Sequence, residues 1–537
     1  MPEHYGAWSL LPPLLAIGLA MATRRVASSI FCGVVVGAWI LARGDVGATL
    51  AIVGRQCLWP TIADQDNQRV LAFTLLLGAM IGVIHHAGGM LGLVDLLRPW
   101  ARTRRRGQLT GWLLGLLIFF DDYANTLLLG STLRPVTDRL GISREKLAYI
   151  VDSTAAPVAS LALLSTWVAF EISYIQKGFA SLGVAAADQE AFRLFVATLA
   201  YRFYPWLALL LVGLVAWTGR DFGPMLQAER RAYRRRTQGS RPPAANASAG
   251  TAARQQVWYV AAVPVLVVLV VLLLLLYWTG RQHQADGASL WQILVAGDSF
   301  LGLVWASASG LLVAVGMAHR CGGLAARQIG NAAVYGGRLM LPALIVLWLA
   351  WSLADLISSS SGEGVQRLGT AAYLSGMVSD RLRPEWLPTG VFVLASLVAY
   401  CTGTSWATMS ILTPLVIELT WKILAASGQA PTPDHHLLMA AIGSVLAGSI
   451  FGDHCSPISD TTVLSSRASR CDHVAHVWTQ MPYAAVAAAV SIVCGTIPVG
   501  FGLSVWIALP VSGAAILVIL LGCGRVVEEE SEPSRGS

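Results

Sequence analysis

Apolar and polar positions in this chain change over on a scale of about twenty residues, the length of a membrane-crossing helix. Uninterrupted apolar runs such as Val257 to Trp278 and Phe300 to Met317 recur from the first residues to the last. A chain in lipid must satisfy its own backbone donors and acceptors, so the pattern predicts an all-α polytopic membrane protein. Run lengths give about 11 crossing helices. The segment Trp8 to Ala22 reads as the first of them and not as a signal peptide, because Arg24 and Arg25 follow it and a second apolar run comes at once.

The basic residues set the orientation. Arg24 and Arg25, the run Arg98 to Arg106, the loop Arg220 to Arg254, and Arg467 with Arg470 all fall between apolar runs. The positive-inside rule places them in the cytoplasm, with the amino terminus outside and the carboxyl terminus inside. Between Arg98 and Arg220 the chain must then cross an even number of times, yet three apolar stretches lie there, 109–134, 147–175 and 195–218. FFDDYANT interrupts the first, so 109–134 is predicted to be a re-entrant hairpin opening from the cytoplasm, with Asp121 to Thr126 at its tip.

The second half repeats this pattern. From Gly111 to Pro135 the spacing is 135 − 111 = 24, and from Gly390 to Pro414 it is 414 − 390 = 24. Downstream, Pro157 to Ser165 aligns without gaps on Pro457 to Ser465. The reading is therefore two re-entrant hairpins, 109–134 and 387–413, each followed by a broken helix, 147–175 and 436–466. Counting crossings makes the repeats inverted, an architecture that forms midplane sites between broken segments. The organisation is 1–68, amino-terminal helices; 69–218, first transport repeat; 219–256, basic cytoplasmic linker; 257–338, connecting helices; 339–502, second transport repeat; 503–537, last helix and tail. The linker, with RRAYRRR and SRPPAANASAGTAAR, is too poor in apolar residues to pack a core and is expected to be flexible.

Composition narrows the function. With 55% hydrophobic and 12% charged residues and a mean hydropathy of +0.61, the chain takes lipid as its main solvent. The net charge of +7 sits in short loops, which excludes a nucleic-acid partner. Eight scattered cysteines without a Cys-x-x-Cys pair indicate neither a disulfide framework nor a zinc site. His-Glu-x-x-His is absent, which argues against an intramembrane metalloenzyme. The expected partners are the bilayer, a small cation and a second copy in a homodimer, with no cofactor.

Carboxylates inside apolar runs cost roughly 2.5 to 3.5 kcal/mol each on the insertion scale, which marks them as functional. The first set is Asp121, Asp122, Asn125 and Thr126, whose bland reading is a loop exposed to water. The second is Asp453, His454, Ser456, Ser459, Asp460 and Thr461 in FGDHCSPISDTTVLSS, where Gly452 and Pro457 are expected to break the helix and the bland reading is a capped polar loop. Asp152, Ser153 and Thr154 read equally as ligands or as a helix cap. Thr402, Thr404 and Ser405 offer hydroxyls without a carboxylate, or simply pack a tight hairpin. Carboxylate, amide and hydroxyl oxygens are the donor set of a hard cation, and sodium is assigned to Asp122, Asn125 and Asp453. Glu171, Asp355 and Glu418 read as helix-end charges.

FFDDYANTLLLGSTLRPVTD, SREKLAYIVDSTAAPVASLALLSTW, LGTAAYLS, TGTSWATMSILTP and above all GDHCSPISDTTVLSS resemble the NhaC family of sodium/proton antiporters, from about Leu71 to Gly500. The resemblance implies a bacterial inner-membrane protein whose transported species are sodium and protons. It also implies two re-entrant hairpins followed by broken helices. The same family includes sodium-coupled malate/lactate exchangers, so a sodium- or proton-coupled carrier of a small organic acid or amino acid is the alternative. The expected mechanism is competition of sodium and proton for Asp121, Asp122 or Asp453, with the loaded site exposed alternately to each side.

Overall fold

The computed structural model describes residues 5–23, 25–183, 187–237, 258–282, 290–358, 367–378, 383–457 and 459–527. Among these the protein is helical throughout, apart from one two-residue ladder pairing Arg220 with Val526 and Asp221 with Arg525. Among the described residues nine helices are long and apolar enough to span a bilayer, and ten if the bent pair Ala191–Tyr201 and Phe203–Thr218 is one span. The all-α polytopic membrane architecture stands. These nine include both arms of the second hairpin, Pro384–Thr402 and Ser405–Ala426, so the crossing helices apart from the hairpins fall well below about 11, and two apolar amino-terminal helices, Gly6–Ala20 and Val26–Leu41, are shorter than a full span.

The first hairpin is a helix Arg104–Leu117, a turn at Ile118–Asp121 and a helix Asp122–Leu140. The two arms run antiparallel and close together: a methyl group on Gly107 would lie 2.5 Å from Leu140, and one on Gly111 would lie 3.4 Å from Leu133. At the base, the Arg104 guanidinium donates to the Gly141 carbonyl. Both ends of the hairpin therefore share one end of the molecule, and its 14-residue first arm is about 21 Å long against about 30 Å of hydrocarbon. The second hairpin is Leu387–Thr402, a turn at Gly403 and Thr404, and Ser405–Ala426. Gly403 turns the chain at φ 69°, which a side chain would strain. Both hairpins run beyond the boundaries expected from the sequence.

Each hairpin is followed by a broken helix. The first, Arg144–Leu161 then Val168–Ala180, breaks at Ala162 to Trp167, within the expected 147–175, and not at Pro157. Pro157 stays inside the helix, since neighbouring helices in a membrane bundle compensate for one missing donor. The chain unwinds where the first hairpin receives it: Thr166 N donates to the Phe120 carbonyl at 2.9 Å, and Ser165 Oγ donates to the Ala159 carbonyl at 2.7 Å. The second, His436–Cys455 then Asp460–Ala468, breaks after Cys455. Gly452 is not the breaker. It lies in the helix because a methyl group there would sit 2.1 Å from the Ser396 carbonyl, so glycine permits the helix to pack directly on Leu387–Thr402.

Each broken helix sends its distal half to the other hairpin. Asp460–Ala468 packs on the first hairpin, where Gly130 faces Ala468, and Val168–Ala180 packs on the second, where Gly178 faces Ile417 and the Phe170 and Trp406 rings lie 4.5 Å apart.

The linker is not wholly flexible. Gly223–Thr237 forms a helix whose inward face carries Met225, Leu226, Ala228 and Glu229. The Glu229 carboxylate accepts from Arg104 and from Ser143 N, both at 2.6 Å. The residues of this helix are mostly strong helix formers, and its few apolar side chains become a packing face through tertiary contacts. The remainder of the linker, 238–256, lies outside the described residues, as does the tail beyond Val527. Arg144 reaches the Arg470 carbonyl at 3.3 Å, so the loops at Arg104, Arg144, Arg220, Arg470 and Arg525 gather at one end.

Candidate cation site

The turn of the first hairpin sorts its two aspartates. Asp121 leaves the helix in extended conformation and caps the arm that follows: its Oδ1 accepts from Ala124 N at 2.7 Å, and its Oδ2 accepts from Thr166 at 3.2 Å. Asp122 begins the helix proper. Its carboxylate is buried, with 1% residual exposure, and neither oxygen has a hydrogen-bond partner. The indole of Trp167 lies toward it from the first break, and Trp167 in turn packs on Trp406 of the second hairpin with ring centroids 4.9 Å apart.

One turn on, Asn125 is held by its amide nitrogen, which donates to the carbonyls of Gly115 at 2.9 Å, Ile118 at 3.1 Å and Thr154 at 3.1 Å. These contacts pin the hairpin turn to the helix Arg144–Leu161. They also leave Asn125 Oδ1 buried and without a partner. Thr126 instead returns its hydroxyl to the Asp122 carbonyl at 2.8 Å.

The second repeat supplies Asp453, in the last turn before the second break. Its Oδ2 accepts from Ser405, the first residue after the second hairpin turn, at 3.1 Å, while Oδ1 is buried without a partner. Asp460, across the break, accepts from the Tyr123 hydroxyl and from Thr461 N at 2.8 Å. Its charge acts on both Asp122 and Asp453. Asp460 is more exposed than Asp122 or Asp453.

A separate polar network lies behind this group. Asp152 is neither a cap nor open: it sits mid-helix, where its Oδ2 accepts from Gln480 at 2.7 Å and Thr462 at 3.0 Å and lies 3.3 Å from His476 Nε2. His454 points the same way, with Nε2 3.0 Å from the Ser153 hydroxyl and Nδ1 2.6 Å from the Tyr204 hydroxyl. Of the remaining sequence candidates, Thr154 and Thr402 spend their hydroxyls on their own helices. Thr404 caps nothing with its side chain, and Ser456 donates to the Tyr400 carbonyl at 2.7 Å. Ser459 and Thr461 share a bond of 3.0 Å at the second break.

Tyr123, Thr166, Trp167, Tyr204, Thr462, His476 and Gln480 were not singled out by the sequence. His476 and Gln480 carried a signal, since they lie four apart on one face of a largely apolar helix. Glu171 does lie in the first turn of its helix, Val168–Ala180, but it is not a solvated charge. It is fully buried and paired with Arg202 at 2.6 Å, because Val168–Ala180 packs beside the helix Ala187–Thr198, just beyond which Arg202 lies. Glu418 is likewise buried, 3.3 Å from Lys422 on the next helical turn.

Comparison with known proteins gives the family. Residues 158–500 match the Na+/H+ antiporter family. An uncharacterised protein of Haemophilus influenzae is 31% identical over 96% of this chain and 94% of its own length. Two further relatives match locally: an uncharacterised Na+/H+ antiporter of the same organism, 36% identical over 21% of this chain and 23% of its own, and the malate-2H+/Na+-lactate antiporter of Bacillus subtilis, 30% identical over 29% of each. In fold, the chain is similar to the Alcanivorax borkumensis YdaH transporter, with a TM-score of 0.52 and 16% identity over 86% of this chain and 90% of that one. A multi-pass helical bundle of this kind is a transporter and not an enzyme, and the chain belongs to the Na+/H+ antiporter family.

Proposed function

We propose that the protein exchanges sodium against protons across a bacterial inner membrane, with its amino terminus outside and its carboxyl terminus in the cytoplasm. The cargo sits on Asp122 Oδ1 and Oδ2, Asn125 Oδ1 and Asp453 Oδ1. The observation that carries this is their lack of partners: four buried oxygens, three of them carboxylate, with no donor to satisfy them. An ionised carboxylate in that state costs several kcal/mol unless a cation or a proton neutralises it. Sodium or a proton at Asp122 would each do so, which is the competition that exchange requires. Ser405 orients Asp453 through its hydrogen bond to Oδ2, and the two breaks let the hairpins move relative to the half-helices.

The organic-acid alternative needs a fixed positive charge facing the cargo. The deeply buried cations among the described residues are Arg104, Lys146 and Arg202, and each is already matched to a buried carboxylate, Glu229, Asp221 and Glu171. This favours an inorganic cation. Asp152 is better suited to organising His454, His476 and Gln480 than to holding cargo, since its Oδ2 is already engaged by them.

The test is sodium counterflow with an internal pH dye in proteoliposomes. Asp122→Asn and Asp453→Asn should each abolish proton movement driven by a sodium gradient while the protein still inserts and folds. Exchange near the wild-type rate in either variant overturns the assignment.

A further inference from the structure

The helix Gly223–Thr237 has a second face that the transport site does not use. Arg231, Arg234 and Arg235 project outward from it, and Arg105 and Arg106 stand exposed beside it on the base of the first hairpin. Among the described residues, the nearby carboxylates leave most of this face without a matching charge. Glu229 and Asp221 are buried and matched to Arg104 and Lys146, and Glu145 comes only within 3.9 Å of Arg231.

We infer that this arginine face is a binding site for the anionic phosphate headgroups of the surrounding bilayer. Its position selects a lipid: the helix begins five residues (223 − 218) after the end of the apolar helix Phe203–Thr218. Trp217, 65% exposed at the end of that helix, belongs at the headgroup level. Guanidinium groups grip phosphate oxygens with two parallel hydrogen bonds, and basic clusters next to a spanning helix bind anionic lipid.

The site is keyed to the hairpin. Glu229 on the inward face joins Arg104, the first residue of the hairpin, to Ser143, just after it, and Arg236 donates to the Leu140 carbonyl at 2.9 Å. Headgroup binding therefore steadies the base of the hairpin whose turn carries Asp122. Resting on the exchange reading, this makes the exchange rate depend on anionic lipid.

Native mass spectrometry of the purified full chain with phosphatidylglycerol or phosphatidylcholine reads binding without reference to transport. Wild type should retain phosphatidylglycerol preferentially, R234Q/R235Q should lose on the order of tenfold of that preference, and R234K/R235K should keep most of it. Equal retention by wild type and R234Q/R235Q overturns the site. In proteoliposomes, replacing phosphatidylcholine by phosphatidylglycerol should raise sodium/proton exchange by wild type and leave R234Q/R235Q flat. The same lipid dependence in both overturns the coupling. Selective retention by a protein that exchanges no sodium supports the lipid site and removes only the exchange reading.

Discussion

At the residue scale, the account turns on two adjacent aspartates with different tasks. Asp121 caps a helix, and asparagine caps nearly as well as aspartate. Asp121→Asn should therefore keep both stability and exchange, whereas Asp121→Ala should lose about 1 kcal/mol of stability, measured by denaturant titration in mild detergent. Asp121→Asn protein that folds but does not exchange would show that Asp121 is itself a cargo ligand. The importance of the aspartate pair was legible in the sequence, because carboxylates inside an apolar run are costly. The division of labour was not, since it depends on where the backbone leaves the helix and on Thr166 arriving from beyond the next helix. Asp152 was legible only as a candidate, because its partners His476 and Gln480 lie more than three hundred positions away, at separations of 324 and 328.

At the element scale, glycines and buried charges fix how helices meet. Gly452→Ala puts a methyl group 2.1 Å from the Ser396 carbonyl, so it should push the second broken helix off its hairpin and cost about 1 to 3 kcal/mol. A thermal midpoint unchanged by this substitution would contradict the close packing. Glu229→Ala leaves Arg104 buried without its carboxylate and should cost about 3 to 5 kcal/mol, far more than a flexible linker would allow. The hairpins and the presence of a broken helix in each half were legible from the glycine-to-proline spacing and the interrupted apolar runs. The site of the first break was not, because a proline inside a packed membrane helix is tolerated and the unwinding is set by contacts with the hairpin turn. The linker helix escaped notice for a similar reason: its few apolar residues become a packing face only when Arg104 and Ser143 are brought to Glu229.

At the scale of the whole molecule, the gathering of the basic loops at one end and the packing of each distal half-helix on the other hairpin fit an inverted pair of hairpins. Single cysteines at Arg139 and Gly428 should then label from opposite faces of the membrane, and labelling of both from the same face would remove the inversion. The central claim is that sodium and a proton alternate on one carboxylate. Protonation then withdraws the ligand, so below the pKa of that carboxylate the apparent sodium affinity should weaken by up to tenfold for each pH unit, and above it the affinity should level off. The direct measurement is the apparent sodium affinity of exchange in proteoliposomes from about pH 6 to about pH 9, for wild type and Asp122→Asn. The account predicts a wild-type affinity that falls as the medium is acidified and no sodium-driven proton movement in the variant. A flat wild-type profile, or exchange that survives Asp122→Asn, would contradict it.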